Sequence, residues 1–168
     1  YVIAISHYLA NHVKKLAPAI PYIIIPPIID FEKFKKNTFI PPDSDYFLYC
    51  GSTAYVDIME FIITAYQQSK AKDKGVSLII IATGDKEKIS MLQEHTKQNP
   101  LIKVLSYQPY EHLIGYYKSA KALLIPLTDN LQDRARFPFK VSEYTAAARP
   151  IISSDSGAMI NYFQDGIN

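Results

Sequence analysis

Arg136-Phe137-Pro138-Phe139-Lys140-Val141-Ser142-Glu143-Tyr144-Thr145-Ala146-Ala147-Ala148-Arg149-Pro150-Ile151-Ile152-Ser153-Ser154-Asp155 reads as a helix that runs into a buried strand. Pro138 suits a first helical turn, where its missing N–H costs nothing. The alanines that follow are strong helix formers. Pro150 pushes Arg149 out of the α region, so the helix should stop near Ala148. Ile151-Ile152 then opens a short apolar strand, broken by the polar turn Ser153-Ser154-Asp155-Ser156-Gly157.

Two charged side chains stand early on that helix. Lys140 lies in the first turn, where free N–H groups and the positive dipole end attract anions. Its ammonium is a point charge suited to phosphate. Glu143 follows three residues later, on the same face. Its two carboxylate oxygens can accept both hydroxyls of a ribose diol. A diphosphate and a ribose would fit side by side there. Helical spacing alone favours a blander arrangement, a solvated or surface-paired Lys and Glu. In the loop-facing case Glu143 governs ligand affinity rather than folding. By the dipole argument alone, removing the Lys140 charge leaves ligand-free stability unchanged or slightly higher.

The rest of the chain repeats the same alternation. Apolar strand segments are expected at residues 46–50, 77–82, 102–105, 122–125 and 150–153. Between them run helical patterns: Ile58, Ile62, Ala65, Tyr66 and Ser69 on one face; Ile89 and Leu92; then Leu113, Tyr117 and Ala120 after Pro109. Continuous aliphatic strands are buried on both faces, which means a parallel sheet under helices. The predicted fold class is α/β, a Rossmann-like, mainly parallel sheet with helices on both faces. Ligands on such sheets sit beyond the carboxyl ends of the strands. The loops there are Gly51-Ser52-Thr53, Thr83-Gly84-Asp85, Ser106-Tyr107-Gln108, residues 127–136 and residues 153–157. Upstream, residues 2–5 and 22–25 read as two further strands. A helix capped by Ser6 joins them, with Leu9, Val13 and Leu16 on one face. Residues 30–45 read as a linker or long loop, and residues 126–136 as a loop.

Length and composition exclude several classes. The 168 residues suit one domain, with 48% hydrophobic and 20% charged residues. Eighteen basic and sixteen acidic residues give a net charge of +2, too small to argue for nucleic acid. Cys50 is the only cysteine, so no disulfide forms within the chain, as suits a reducing compartment. The apolar run at residues 20–29 is too short for a bilayer and holds Pro21, Pro26 and Pro27. No signal peptide is legible. Neither GxGxxG, Walker A nor GxSxG occurs. His7, His12, His95 and His112 lack metal-ligand spacing with Cys50, which itself reads as packing. The abrupt ends read as a fragment of a longer protein.

The segment Phe137-Pro138-x-Lys140-x-x-Glu143-Tyr144-x-Ala146-x-x-x-Pro150-Ile151-Ile152 resembles the donor-site motif of GT-B glycosyltransferases, especially family-4-like enzymes. The resemblance runs from Val2 to Asn168. It implies that Glu143 holds the ribose of a sugar nucleotide and that the helix N-terminus, with Phe139 and Lys140, faces the diphosphate. It places Gly51, Ser52 and Thr53 at the diphosphate, Tyr107 and Leu113 near the nucleobase, and the Gly157 turn at donor sugar or phosphate. Arg136 and Arg134 stand nearby. Three positions depart from the family. Its usual arginine and lysine after the loop glycine are Ser52 and Asp57 here, and an upstream glutamate is Ala135.

By that resemblance, residues 1–30 are a remnant of a preceding domain and its linker. Residues 31–168 are then the Rossmann-like donor domain, truncated at its C-terminus. The implied function is the donor-binding half of a glycosyltransferase moving a sugar from a nucleotide diphosphate sugar to a glycan or lipid-linked acceptor. The catalytic residues are not assigned. No cofactor and no metal are implied. The partners are the sugar-nucleotide donor and a missing N-terminal acceptor-binding domain. The full-length enzyme would be cytoplasmic, with peripheral membrane association at the inner face. Two alternatives stay open: a GT-B-fold sugar-nucleotide 2-epimerase, and a non-catalytic Rossmann-like binding module, which the losses at Ser52 and Asp57 favour.

Overall fold

The computed structural model describes residues 1–43 and 45–167. Ser44, in the expected linker, and Asn168, at the expected end of the domain, lie outside the described residues. In chain order the elements are β1 (Val2–Ala4), α1 (His7–Leu16), β2 (Tyr22–Ile24), α2 (Phe31–Lys36), β3 (Tyr46–Ser52), α3 (Val56–Gln68), β4 (Ser77–Thr83), α4 (Lys86–Thr96), β5 (Ile102–Leu105), α5 (Tyr110–Ser119), β6 (Ala122–Ile125), α6 (Leu131–Ala135), α7 (Phe139–Ala146), β7 (Ile151–Ser153) and α8 (Met159–Tyr162).

Among the described residues, β1 and β2 form a small parallel pair, and the other strands form one parallel sheet in the order β5-β4-β3-β6-β7. Each expected strand is present and parallel. Successive residues feed opposite faces of the sheet. Leu48, Cys50, Ile79 and Ile81 pack with Ile114, Tyr117, Val141 and Tyr144 from α5 and α7. Tyr49, Leu78, Ile80 and Ala82 pack with Met59, Ile63, Ile89 and Leu92 from α3 and α4. Helices therefore cover both faces, in a Rossmann-like α/β fold. Chain order reverses between β3 and β6, so a crevice opens beyond their carboxyl ends.

Several expectations need correction. β3 does not end at Gly51: Gly51 and Ser52 find ladder partners in Ala82 and Thr83. The linker at 30–45 contains α2, capped by Asp30 through Glu32 N–H and anchored by buried Phe34. The loop at 126–136 contains α6, capped by Asn130 accepting from Asp133 N–H. Leu16 is exposed, because α1 buries Ala10 instead. In α3 the buried face carries Met59, Ile62, Ile63 and Tyr66, and Ala65 is exposed. Among the described residues no helix is long and apolar enough to cross a membrane.

The end of α7 shows a local strain. Ala148 sits at φ +53°, in the left-handed region just past the helix. Glycine is the usual residue there, because a Cβ costs roughly 1 kcal/mol in that region. Ala148→Gly is therefore expected to stabilise the chain by up to about 1 kcal/mol, less the added freedom of the unfolded glycine. Urea midpoints of the two proteins check this; a lower midpoint for the glycine variant would count against the strain.

Candidate functional site

α7 starts beyond the carboxyl end of β6, at the crevice. Pro138 precedes it without a side-chain cap. Lys140 and Glu143 stand together on its first turn, but not as two open groups. Lys140 Nζ lies 2.9 Å from Glu143 Oε2. Tyr117, from α5, accepts from Lys140 Nζ at 3.0 Å and donates to the same Oε2 at 3.3 Å. Glu143 is buried, with only 3% of its surface exposed, so the expected loop-facing carboxylate is corrected to an internal ion pair. The expectation that Lys140 is neutral for stability falls with it, because its ammonium is the charge partner of that carboxylate.

The surroundings of the pair are phenolic. Burial pushes the Tyr117 phenol well above its ordinary range, with Cys50, Tyr144 and Glu143 adding to the effect. Tyr117 meets Tyr144 edge-on at 5.3 Å. Tyr144 in turn accepts from the Cys50 N–H at 3.3 Å. Burial, then the Glu143 carboxylate beside it, push Tyr110 up to about 12. For Lys140, burial alone would lower the ammonium; Cys50 and Glu143 outweigh it and hold the group above its ordinary value. A cation kept charged at a helix start can meet an anion.

A second cluster forms just upstream in the chain. Arg136 Nη2 lies 2.6 Å from Asp133 Oδ1, and Arg136 Nη1 donates to Tyr55 at 3.1 Å. The guanidinium also stands over the Tyr55 ring. Asp133 is buried, and its Oδ2 accepts from the N–H and hydroxyl of Thr128, each at 2.8 Å. Arg136 is thus already paired by the fold.

The remaining candidates are placed as follows. Gly51 lies within β3. Ser52 Oγ accepts from Ala54 N–H and caps a short 3₁₀ turn, and buried Thr53 accepts from Asp85 N–H. Asp57 sits in the first turn of α3, where a carboxylate suits the helix dipole. Tyr107 is 72% exposed on the β5–α5 loop, and Phe139 is 55% exposed at the start of α7. Leu113 is half-buried against the core. An apolar cavity of about 380 Å³, lined by Phe61, Tyr66 and Ile152, touches none of the candidate residues. Sequence reasoning missed Tyr55, Asp133 and Tyr110, and read Tyr117 as core alone.

A family described as glycosyl transferases group 1 matches residues 30–168. The chain belongs to that family. Solved structures share the fold of this chain. Sucrose-phosphate synthase from Thermosynechococcus elongatus is similar at TM-score 0.69 and 18% identity, over 94% of this chain and 41% of that one. TarM is similar at 0.68 and 13%, over 99% and 32%. WaaG, a glycosyltransferase involved in lipopolysaccharide biosynthesis, is similar at 0.64 and 14%, over 95% and 45%. The chain therefore spans less than half the length of each, and its sheet is the Rossmann-like sheet of one half of a GT-B fold. No curated protein matches the chain by sequence.

In this family member the Gly157 turn has a structural need for glycine. Its φ is +59°, and a Cβ would stand 2.3 Å from the Asp133 carbonyl oxygen. Gly157 also borders a cavity of about 370 Å³ shared with Ser6, Asn11, Asp129 and Arg134. That cavity joins residues 1–30 to the β6 and β7 loops. The Ser6 hydroxyl donates to the Ala135 carbonyl. Nearby, Ser142 Oγ donates to the Pro27 carbonyl at 2.7 Å. Gly157→Ala is expected to cost about 1–3 kcal/mol through backbone strain. Thermal unfolding checks this; an unchanged midpoint would show that the turn yields freely.

Proposed function

We propose that the chain is the donor-binding half of a glycosyltransferase that moves a sugar from a nucleotide diphosphate sugar to a glycan or lipid-linked acceptor. The observation that carries this is the Lys140–Glu143 pair on the first turn of α7, at the crevice where chain order reverses. The ammonium and the helix N–H groups receive the diphosphate, and the carboxylate receives the ribose. Gly51, Ser52, Thr53 and Gly157 border the phosphates and sugar; Tyr107 and Leu113 flank the base. Phe139 and Arg136 frame the entrance. No metal is part of this reading, because cation and amides meet the phosphate charge. Residues 1–30 belong to the acceptor-binding half, and the rest of that half completes the cleft. This chain alone is then inactive as a transferase. The full-length enzyme acts in the cytoplasm, peripherally at the inner face of the membrane.

Thermal unfolding with UDP-, GDP- and ADP-sugars tests the reading. A ligand at 100 times its Kd adds about 2.7 kcal/mol of stability. Stabilisation by one member of the panel is expected. If none stabilises the chain and calorimetry detects no binding, the donor role is wrong. The engaged Ser52 and Thr53 hydroxyls and the acidic Asp57 then favour a non-catalytic binding module.

A further inference from the structure

Lys140 has one ammonium and two calls on it. In the structure it serves Glu143, at 2.9 Å. On binding a diphosphate it turns toward phosphate, and the Glu143 carboxylate, with 3% exposure, loses its only charged partner and keeps just the ribose and nearby phenol hydroxyls as donors. A buried charge that loses its partner is costly unless another donor holds it. The Tyr117 hydroxyl is placed for that. It already donates to Glu143 Oε2 at 3.3 Å while accepting from Lys140 Nζ at 3.0 Å. Tyr117 cannot drift away. It is fully buried on α5, with its ring edge-on against Tyr144 at 5.3 Å and 68°. Tyr110 also bears on Glu143, from the first residue of α5, but it is 37% exposed where Tyr117 is fully buried.

We infer that Tyr117 is a positioning residue of the donor site: its hydroxyl keeps the Glu143 carboxylate satisfied when Lys140 turns to the diphosphate. It thereby sets the preference for a nucleoside diphosphate over the bare nucleoside. This rests on the proposed reading that Lys140 and Glu143 receive a nucleoside diphosphate. A bare nucleoside leaves Lys140 on Glu143, so the hydroxyl contributes nothing extra to its binding.

The test compares UDP, GDP and ADP with uridine, guanosine and adenosine on wild type, Tyr117→Phe and Tyr144→Phe. Ligand-observed NMR reads the nucleosides and calorimetry the diphosphates. For the base that binds wild type, Tyr117→Phe is expected to lose about 10-fold or more in diphosphate affinity, the scale of one hydrogen bond to a charged group. Its nucleoside affinity should stay within about twofold. Tyr144→Phe removes a neighbouring buried hydroxyl that touches neither Lys140 nor Glu143. Its ratio of diphosphate to nucleoside affinity should match wild type. Equal losses for both ligands, or no loss, with Tyr117→Phe overturn the positioning role and leave the donor reading intact. Absence of diphosphate binding to folded wild type overturns the donor reading, and this inference with it. Should Tyr117→Phe fail to fold, 3-fluorotyrosine at position 117 keeps the ring and makes the hydroxyl a stronger donor. The diphosphate preference should then equal or exceed that of wild type; a smaller preference overturns the inference.

Discussion

Lys140→Met is expected to lower the stability of the ligand-free chain by about 3 kcal/mol. Breaking a buried ion pair from one side costs roughly 3–5 kcal/mol, because the other charge stays in a poorly solvated place. Glu143 is that charge, with 4% of its side chain exposed. Lys140 keeps 32% of its side chain in water, so screening holds the loss to the lower end. A loss of that size moves Tm by roughly 10 °C in a domain of this length. Methionine retains most of the aliphatic stem, so packing changes little. The double variant Lys140→Met/Glu143→Gln should recover most of the loss, because no buried charge is left unpaired and Tyr117 can still donate to the amide oxygen. Differential scanning calorimetry of the three proteins decides it. A single variant as stable as wild type would mean that water, not Lys140, satisfies the carboxylate.

Alkaline pH should unfold the chain at a lower value than carboxylate and histidine chemistry would suggest. Burial raises the phenols of Tyr46, Tyr117 and Tyr144, and pushes Tyr49 up to about 12. In the unfolded chain each ionises near pH 10. Between that value and the folded one, the unfolded state has released protons that the native state keeps. Stability therefore falls as pH rises, by about 1.4 kcal/mol per pH unit for each phenol. Four such groups remove about 5–6 kcal/mol by pH 11, comparable with the whole stability of an ordinary domain. Lys140 acts in the same direction, since its folded value is also raised. Urea midpoints at pH 8, 9, 10 and 11 give the slope. A flat profile to pH 11 would show that the phenols ionise without unfolding the sheet.

The sheet was legible because its signal is local. Residues 77–82 are aliphatic at every step from Leu78, and only a strand covered on both faces can use such a run. The short helices were not legible for the converse reason. α2 and α6 are six and five residues long, each fixed by one cap and by a long-range contact that spacing does not reveal. The candidate site was half legible. Lys140 and Glu143 are neighbours in sequence, so their shared face could be read. That the pair closes on itself depends on Tyr117, 23 and 26 residues away, brought in by the packing of α5 against α7. Arg136 likewise looked free until Asp133 and Tyr55 met it. The departures at Ser52 and Asp57 were visible as letters. Their local roles as a turn cap and a helix-dipole partner needed backbone geometry.

The aromatic composition gives the Tyr117–Tyr144 pair a practical value. The chain has thirteen tyrosines and no tryptophan. Tryptophan normally collects excitation energy from tyrosine and masks its emission. Here nothing in the chain does so, and tyrosine emission is not masked by tryptophan. A phenol hydrogen-bonded to a carboxylate is quenched, because the excited hydroxyl passes its proton along that bond. Tyr117 should therefore be dim while it donates to Glu143, and any event that loosens that bond should brighten it. One of thirteen tyrosines then reports on this cluster without a label, as a change in brightness against the emission of the other twelve.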